Sequence, residues 1–356
     1  MARSKSAAVV ATKPPAVTPR VTMWDVANRA GVSQTLVSLV IGGSPTARVA
    51  EATRKRVLAA AAELGYRPNV IAQALVRRRS YAIGLIIPDL HNLFFADVVS
   101  GAERVATELG YAVLFCHAAE VSTARHLDAL RARQIDGVIL DAIGAASLDE
   151  GALHDLNVVL IDQPNDVVLG VASDAPGAGR QAAEHLLTLG HRHVGYLGPA
   201  TDVWSFRMRE RGFTQAVRAA GFMVRSEDLV RAPASVEGGE RAMQRVLDQV
   251  TPPTAVFCAN DLMALGALRA CAVAGIAVPA RISVVGCDDI ETARLVTPQL
   301  TTVAVPAREM GARAARLLLQ MLDGETVRPT KPLPVRLVIR GTTAAPTRAR
   351  RREGNP

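Results

Sequence analysis

Gln34 and Thr35 are the residues of this chain with the most pointed chemistry. A glutamine amide donates and accepts in one plane, the pattern that pairs with N6 and N7 of adenine, and a threonine hydroxyl can do either. Both lie in the stretch TMWDVANRAGVSQTLVSLV, residues 22–40, with the hydroxyls of Thr22, Ser33 and Ser38; the guanidinium of Arg54 follows. Those groups suit phosphate oxygens, contacts that position a protein on nucleic acid without reading its sequence. Leu39, one turn beyond Thr35, offers an apolar tip for a thymine methyl. Bond-breaking chemistry is not legible. There is no H-E-x-x-H, no G-x-S-x-G and no P-loop, and the histidines, His185, His191 and His193 among them, form no catalytic constellation. The four cysteines, Cys116, Cys258, Cys271 and Cys287, never fall into a C-x-x-C pair, so reduced thiols and no zinc site are expected.

For Gln34 to reach a base, a short helix must present it. Thr22 and Asp25 have capping-box spacing, which starts a helix over Met23–Ala30, and Gly31 ends it. Ser33 is a second N-cap, with Leu36, Val37 and Val40 at helical spacing behind it. Val26, Ala27 and Ala30 are small enough for a close crossing, and Val32 plugs the space under the turn. Two helices joined this tightly make a helix-turn-helix. Charge separates it from an ordinary helical hairpin. Residues 1–79 carry 13 Lys and Arg against three acids, whereas the remainder carries 28 against 30. Basicity confined to one end fits a phosphate-binding module joined to a neutral domain. A third helix is expected from about Ala50 to Leu64, stopped by Gly65, and a fourth, very short one from Val70 to Val76, capped by Asn69. Two turns are not stable alone, so that fourth helix needs a partner, which a symmetric dimer on DNA would supply.

From Ser80 onward short β-branched runs alternate with helical stretches. AIGLII, AVLFC, GVIL, VVLI, VGYL, AVFC and ISVVG read as strands of parallel sheets covered by helices, and about 260 residues is too many for one such sheet. Two lobes are expected, with polar residues at strand ends facing the crevice between them. Asp89, Asn92, Asp162, Asp174, Asn260, Asp261, Asp288 and Asp289 each follow an apolar run, and helix capping is the rival explanation for Asp174 and Asp261. Residues 1–20 and the basic tail 347–356 read as disordered extensions. The run AAVVA is too short for a signal peptide, and no apolar stretch reaches membrane-spanning length, so a soluble cytoplasmic protein is expected.

These segments, with TRKRVLAAAAELGYRPNVIAQAL, GHRHVGYLG, ANDLMALGALRA, ISVVGCDDI and PQLTTVAVP in that order, resemble the lactose-repressor (LacI/GalR) family from Val21 to Thr343. The resemblance implies a helix-turn-helix headpiece over 21–67, a hinge helix over 68–79, and a periplasmic-binding-protein-like domain over 80–346. The first lobe would comprise about 80–172 plus 302–333 and the second about 173–301 plus 334–346. It implies that Leu75, flanked by Ala72, wedges into the minor groove from the hinge helix begun by Asn69. It implies an effector pocket lined by Asn92, Phe95, Asp162, Arg209, Asn260 and Asp288. Function follows as a homodimeric repressor of double-stranded operator DNA, controlled by a small-molecule effector such as a sugar, with no cofactor and no enzymatic activity. The pocket departs from the family pattern at Leu93, Cys287 and Ala234, where relatives carry a proline or aromatics; Trp204 is the candidate replacement platform. No heptad repeat marks a tetramerising tail.

Two rival readings stand beside this one. Gly177, Gly179 and Ala182 fit G-x-G-x-x-A, with Asp202 at ribose distance, as in a dinucleotide-dependent enzyme. Asp174, Ala175 and Pro176 intervene between strand and first glycine, which fits a capped helix start better. A transported-solute binding protein is the second rival, and it leaves the helix-turn-helix unexplained.

Overall fold

The computed structural model describes residues 21–42, 49–67, 79–118, 122–141, 153, 156–163 and 168–347. The chain divides into two compact units at Ser80 and Tyr81. In the first, α1 (Met23–Ala30), α2 (Gln34–Ile41) and α3 (Glu51–Glu63) close on Val26, Ala27, Ala30, Val37, Val40 and Val57. The capping box forms in full: the Thr22 N–H donates to Asp25 Oδ2 at 2.8 Å, and the Asp25 N–H donates to Thr22 Oγ1 at 3.4 Å. Gly31 turns the chain at φ 63°, a left-handed value that a side chain would strain, and Ser33 Oγ accepts from the Leu36 N–H at 3.2 Å. A surface ion pair, Arg29 to Glu63 at 2.7 Å, ties α1 to α3. At half exposure it is worth about 1 kcal/mol or less, so the small-residue core holds the module.

The second unit contains two sheets. One has the order β2-β1-β3-β4-β5, from β1 (Ala82–Ile87), β2 (Ala112–His117), β3 (Gly137–Asp141), β4 (Asn157–Ile161) and β5 (Gly170–Val171), all parallel. The other has the order β11-β10-β9-β8-β6-β7. Its strands are β6 (Val194–Pro199), β7 (Leu229–Ala232), β8 (Ala255–Cys258), β9 (Ser283–Asp288), β10 (Thr301–Ala304) and β11 (Arg336–Val338), the last antiparallel. Central strands such as β3 and β9 are buried along their whole length, as parallel strands covered on both faces must be. The covering helices are α4 (Leu93–Glu108), α5 (Thr123–Arg131), α6 (Ala175–Thr188), α7 (Trp204–Ala219), α8 (Val236–Leu247), α9 (Asp261–Val273), the short α10 (Thr292–Leu295) and α11 (Ala307–Leu322).

The crossing between lobes corrects one boundary. The expected first lobe regains the chain at 302, but Thr301–Ala304 forms β10, paired with β9 from Thr301↔Val285 to Ala304↔Asp288. Thr301 and Thr302 are fully buried in the second lobe, and only after Pro306 does α11 pack on α4, β3 and β4 of the first. The β-branched run TTV favours a strand, its pairing with β9 places that strand in the second sheet, and the proline ends it.

Glycines fix how closely the helices cross. A Cβ on Gly179 would lie 1.9 Å from the Arg209 carbonyl oxygen, and one on Gly212 2.0 Å from that of Pro176, so α6 and α7 touch backbone to backbone. Gly177 follows the Asp174 cap, whose Oδ1 accepts from its N–H at 2.9 Å. The G-x-G-x-x-A run is therefore a capped helix packed on its neighbour. Gly179→Ala is expected to push α7 outward, costing about 1–3 kcal/mol and displacing Arg209. Thermal unfolding together with ligand response reads both effects; an unchanged melting temperature would show that the crossing can yield.

Candidate functional site

In both sheets the strand order reverses once, between β1 and β3 and between β6 and β8. Side chains carried on the carboxyl ends of strands next to such points share a crevice. Here they converge on a small cavity of about 30 Å³, near one water's share of liquid volume. Asn92, Phe95, Asp162, Arg209, Asn260 and Asp288 all line it. Asn92 and Asn260 also start helices: their Oδ1 atoms accept from the Phe94 N–H at 3.1 Å and the Met263 N–H at 2.9 Å. Each capping bond uses only the amide oxygen.

Arg209 is the centre of the site and is only 2% exposed. Its Nη1 donates to the Ala259 carbonyl at 2.6 Å and lies 3.2 Å from Asp288 Oδ1, while Nη2 lies 3.9 Å from Asp162 Oδ2. Asp162 directly follows β4 in the first lobe and Asp288 ends β9 in the second, so one guanidinium faces acids of both lobes. Its Cζ sits 5.4 Å from the ring centre of Phe206. Asp162 is itself held by Ser173, whose Oγ donates to Oδ1 at 3.0 Å. Both acids have positive φ, 55° at Asp162 and 122° at Asp288, strained conformations of the kind that concentrate at functional sites.

Burial decides the protonation states. It pushes the Asp288 carboxyl up to about 8, with Asp261 and Asp162 adding to the rise and Arg209 opposing it. Burial works against the charge on Arg209, but Cys287, Asp288 and Asp162 outweigh it and hold the pKa above the ordinary arginine value. The empty cleft at neutral pH therefore presents a charged Arg209 beside an Asp288 that largely keeps its proton and can donate it to a hydrogen bond.

Sequence reading missed Phe94, Asp141, Val203, Ser205 and Phe206, which also line the cavity. Asp141 directly ends GVIL, the same signal that marked Asp162. Ser205 stands one helical turn before Arg209, and Phe206 three residues before it, close enough in register to have been found by spacing. Trp204 does not line the cavity; Phe206 supplies the ring. The other strand-end acids serve structure. Asp174 caps α6, and Asp261 accepts from Thr302 Oγ1 at 2.5 Å and from the Ile290 N–H at 3.0 Å. Asp289 pairs with Arg340 and Arg294. Asp89 accepts from the His91 N–H at 2.8 Å. An open groove of about 720 Å³ between α6 and α7 is larger, yet the cleft alone gathers buried charges from both lobes.

In the first unit, Gln34, Thr35, Ser38 and Leu39 are all exposed on α2, on one face by spacing, and Arg54 is half-buried on α3. Ser33 Oγ is engaged as a cap, and Thr22 Oγ1 donates to Asp25 Oδ2 at 2.7 Å, which ties both hydroxyls to helix starts. Trp24, at 59% exposure, is a large apolar side chain in the first turn of α1 that sequence reading passed over. Asn69, Ala72 and Leu75, like the extensions 1–20 and 348–356, lie outside the described residues.

Residues 22–69 match the bacterial regulatory proteins of the lacI family, and residues 183–343 match a periplasmic binding protein-like domain. The chain is 34% identical over 339 residues to the HTH-type transcriptional regulator DegA of Bacillus subtilis strain 168, covering 91% of this chain and 98% of that one. The chain belongs to the LacI family. Another member, the HTH-type transcriptional repressor CytR of Escherichia coli K12, is 34% identical over 333 residues, covering 91% of this chain and 96% of CytR. Among solved structures, a lac repressor dimer bound to operator and the anti-inducer ONPF superposes with a TM-score of 0.82 at 31% identity, covering 92% of this chain and all of the other. As a LacI-family member this chain is a DNA-binding transcription regulator. No helix among the described residues is long and apolar enough to cross a membrane.

Proposed function

We propose that the chain acts as a homodimeric repressor in the cytoplasm, holding a pseudo-palindromic operator until a sugar or related metabolite binds between the lobes. It acts by binding and not by catalysis. The observation that carries this reading is the cleft, where Arg209 and Asp288 of the second lobe meet Asp162 of the first around a set of unspent polar groups. A ligand there acts through its difference in affinity for two lobe angles, and the same pocket serves an inducer or a corepressor according to which angle it favours. On DNA, Gln34, Thr35 and Leu39 read bases from the major groove, Ser38 and Arg54 with Thr22 and Ser33 face phosphates, and Leu75 with Ala72 enters the minor groove behind Asn69.

Selection of random duplexes with the full chain tests the reading. Two half-sites related by a dyad are expected, and Gln34→Ala is expected to change preference at one base pair per half-site by about 1–3 kcal/mol. Uniform weakening on every sequence would make Gln34 a backbone contact. Failure to enrich any paired half-site would overturn the dimeric operator reading.

A further inference from the structure

One helix opens into the cleft without a cap. α4 and α9 start beside the cavity from the side chains of Asn92 and Asn260, whereas α7 starts from Val203, which has no acceptor to offer. The first-turn N–H groups of α7, those of Trp204, Ser205 and Phe206, find no acceptor among the described residues. Val203, Ser205 and Phe206 line the cavity, so the positive end of this helix forms part of its wall. Two side chains of α7 continue that surface. Ser205 is buried, and its hydroxyl makes no hydrogen bond among the described residues. Arg209, one turn further on the same face, lines the cavity with a buried Nε–H that has no acceptor. Buried donors left unpaired are costly, and this row of them calls for a ligand group rich in acceptors.

Resting on the reading of this cleft as the effector site, we propose that the effector is a sugar acid, a polyhydroxylated monocarboxylate whose carboxylate sits at the first turn of α7 between Ser205 and Arg209. A carboxylate accepts in several directions at once, which suits backbone N–H groups, a hydroxyl and a guanidinium edge converging on it. Charge sets the limit. The guanidinium also faces Asp162 at 3.9 Å, so Arg209 and the helix end can meet one further negative charge but not the two of a phosphate. Asp162 Oδ1 is engaged by Ser173, whose N–H and Oγ donate to it at 3.3 and 3.0 Å. Asp288, kept protonated by its burial, adds a donor and no repulsion. At about 30 Å³ the cavity holds no more than a head group of this size, so the hydroxylated remainder needs the lobes to part.

Two measurements test this on the full chain. The first needs no ligand and compares Ser205→Asp with Ser205→Asn at pH 8, the same shape with and without the charge. An anion site accepts the aspartate, so its melting temperature is expected to equal or exceed that of the asparagine variant. An aspartate variant several degrees less stable, with native circular dichroism, would show that the helix end and Arg209 do not offset a buried carboxylate, and would overturn the proposal. The second is calorimetric titration with glucuronate, galacturonate and gluconate, each against its neutral amide, and with glucose 6-phosphate. The acid of a pair is expected to bind about tenfold tighter than its amide or more, the phosphate to bind more weakly than the acids, and Ser205→Ala to remove part of the acid's advantage. An amide or the phosphate binding as tightly as the acids would overturn the ligand class while leaving the cleft as the effector site. Acid binding unchanged by both Ser205→Ala and Arg209→Lys would instead overturn the cleft reading itself. With no member binding, the comparison of Ser205→Asp with Ser205→Asn alone decides.

Discussion

Arg209→Met is expected to destabilise the larger unit by about 3–5 kcal/mol, one of the largest effects of any single substitution in this chain. The side chain is 2% exposed, and its removal leaves Asp162 in the cleft without the cation that faces it and the Ala259 carbonyl without its donor. Asp288 can escape by keeping a proton, since burial already pushes its pKa up to about 8. Asp162 remains held between Ser173 and the cavity, so the penalty does not vanish. Methionine fills most of the arginine stem, which limits the cavity left behind, so the loss reports charge and hydrogen bonding and not packing. Arg209→Lys restores a charge but not the fork that reaches Ala259 and both acids, and is expected to recover only part. Denaturant unfolding of the full chain, followed by circular dichroism with Trp204 fluorescence as a local reporter on the same helix, measures it. A loss below about 1 kcal/mol would mean that the two acids adapt without Arg209 and that the lobes do not depend on it.

The parts of this molecule legible in the sequence are those in which a local signal has one physical solution. Thr22 and Asp25 at capping-box spacing, and Gly31 where φ must be positive, give α1 its bounds of Met23–Ala30. All seven apolar runs read as strands lie within β1, β2, β3, β4, β6, β8 and β9 or overlap them, because buried parallel strands are nearly continuous apolar segments. The strands that carry no such signal are β5, β7, β10 and β11. They are two to four residues long, three of them lie at a sheet edge and β10 lies beside one, where neither length nor apolar content marks them. The boundary at 302 fails for the same reason: TTV carries no local statement of which lobe it joins, and the choice is made by pairing with β9. In the cleft, Asp162, Asn260 and Asp288 are visible as polar ends of apolar runs. Phe206 is not, because an aromatic in the first turn of a helix reads as core until the partner lobe is placed opposite it. The gathering of Asp141, Asp162 and Asp288 is likewise invisible along the chain, since they meet only when two sheets face each other.

The same crowding makes a prediction about pH whose sign is opposite to that of ordinary paired carboxylates. Burial raises Asp288 from 3.8 to about 8 and Asp261 to about 6. A carboxyl whose folded pKa exceeds its unfolded value binds more protons in the native state between the two values, so its contribution falls as pH rises through that window. The Asp288 and Asp261 contributions are fully present below about 4; that of Asp261 is lost by about 6 and that of Asp288 by about 8. A tenfold difference in proton affinity between the folded and unfolded states corresponds to about 1.4 kcal/mol, so Asp288 alone amounts to several kcal/mol, on the order of 6 at most. Between pH 6 and 8.5 the unliganded chain is therefore expected to lose melting temperature steadily. Asp288→Asn cannot ionise and keeps the donor, so it is expected to flatten the slope and to match or exceed the parent at pH 8.5. A parent slope that is flat or rising over this range would show that Arg209 compensates Asp288 fully, so that the cleft holds an ionised carboxylate where a proton donor is expected.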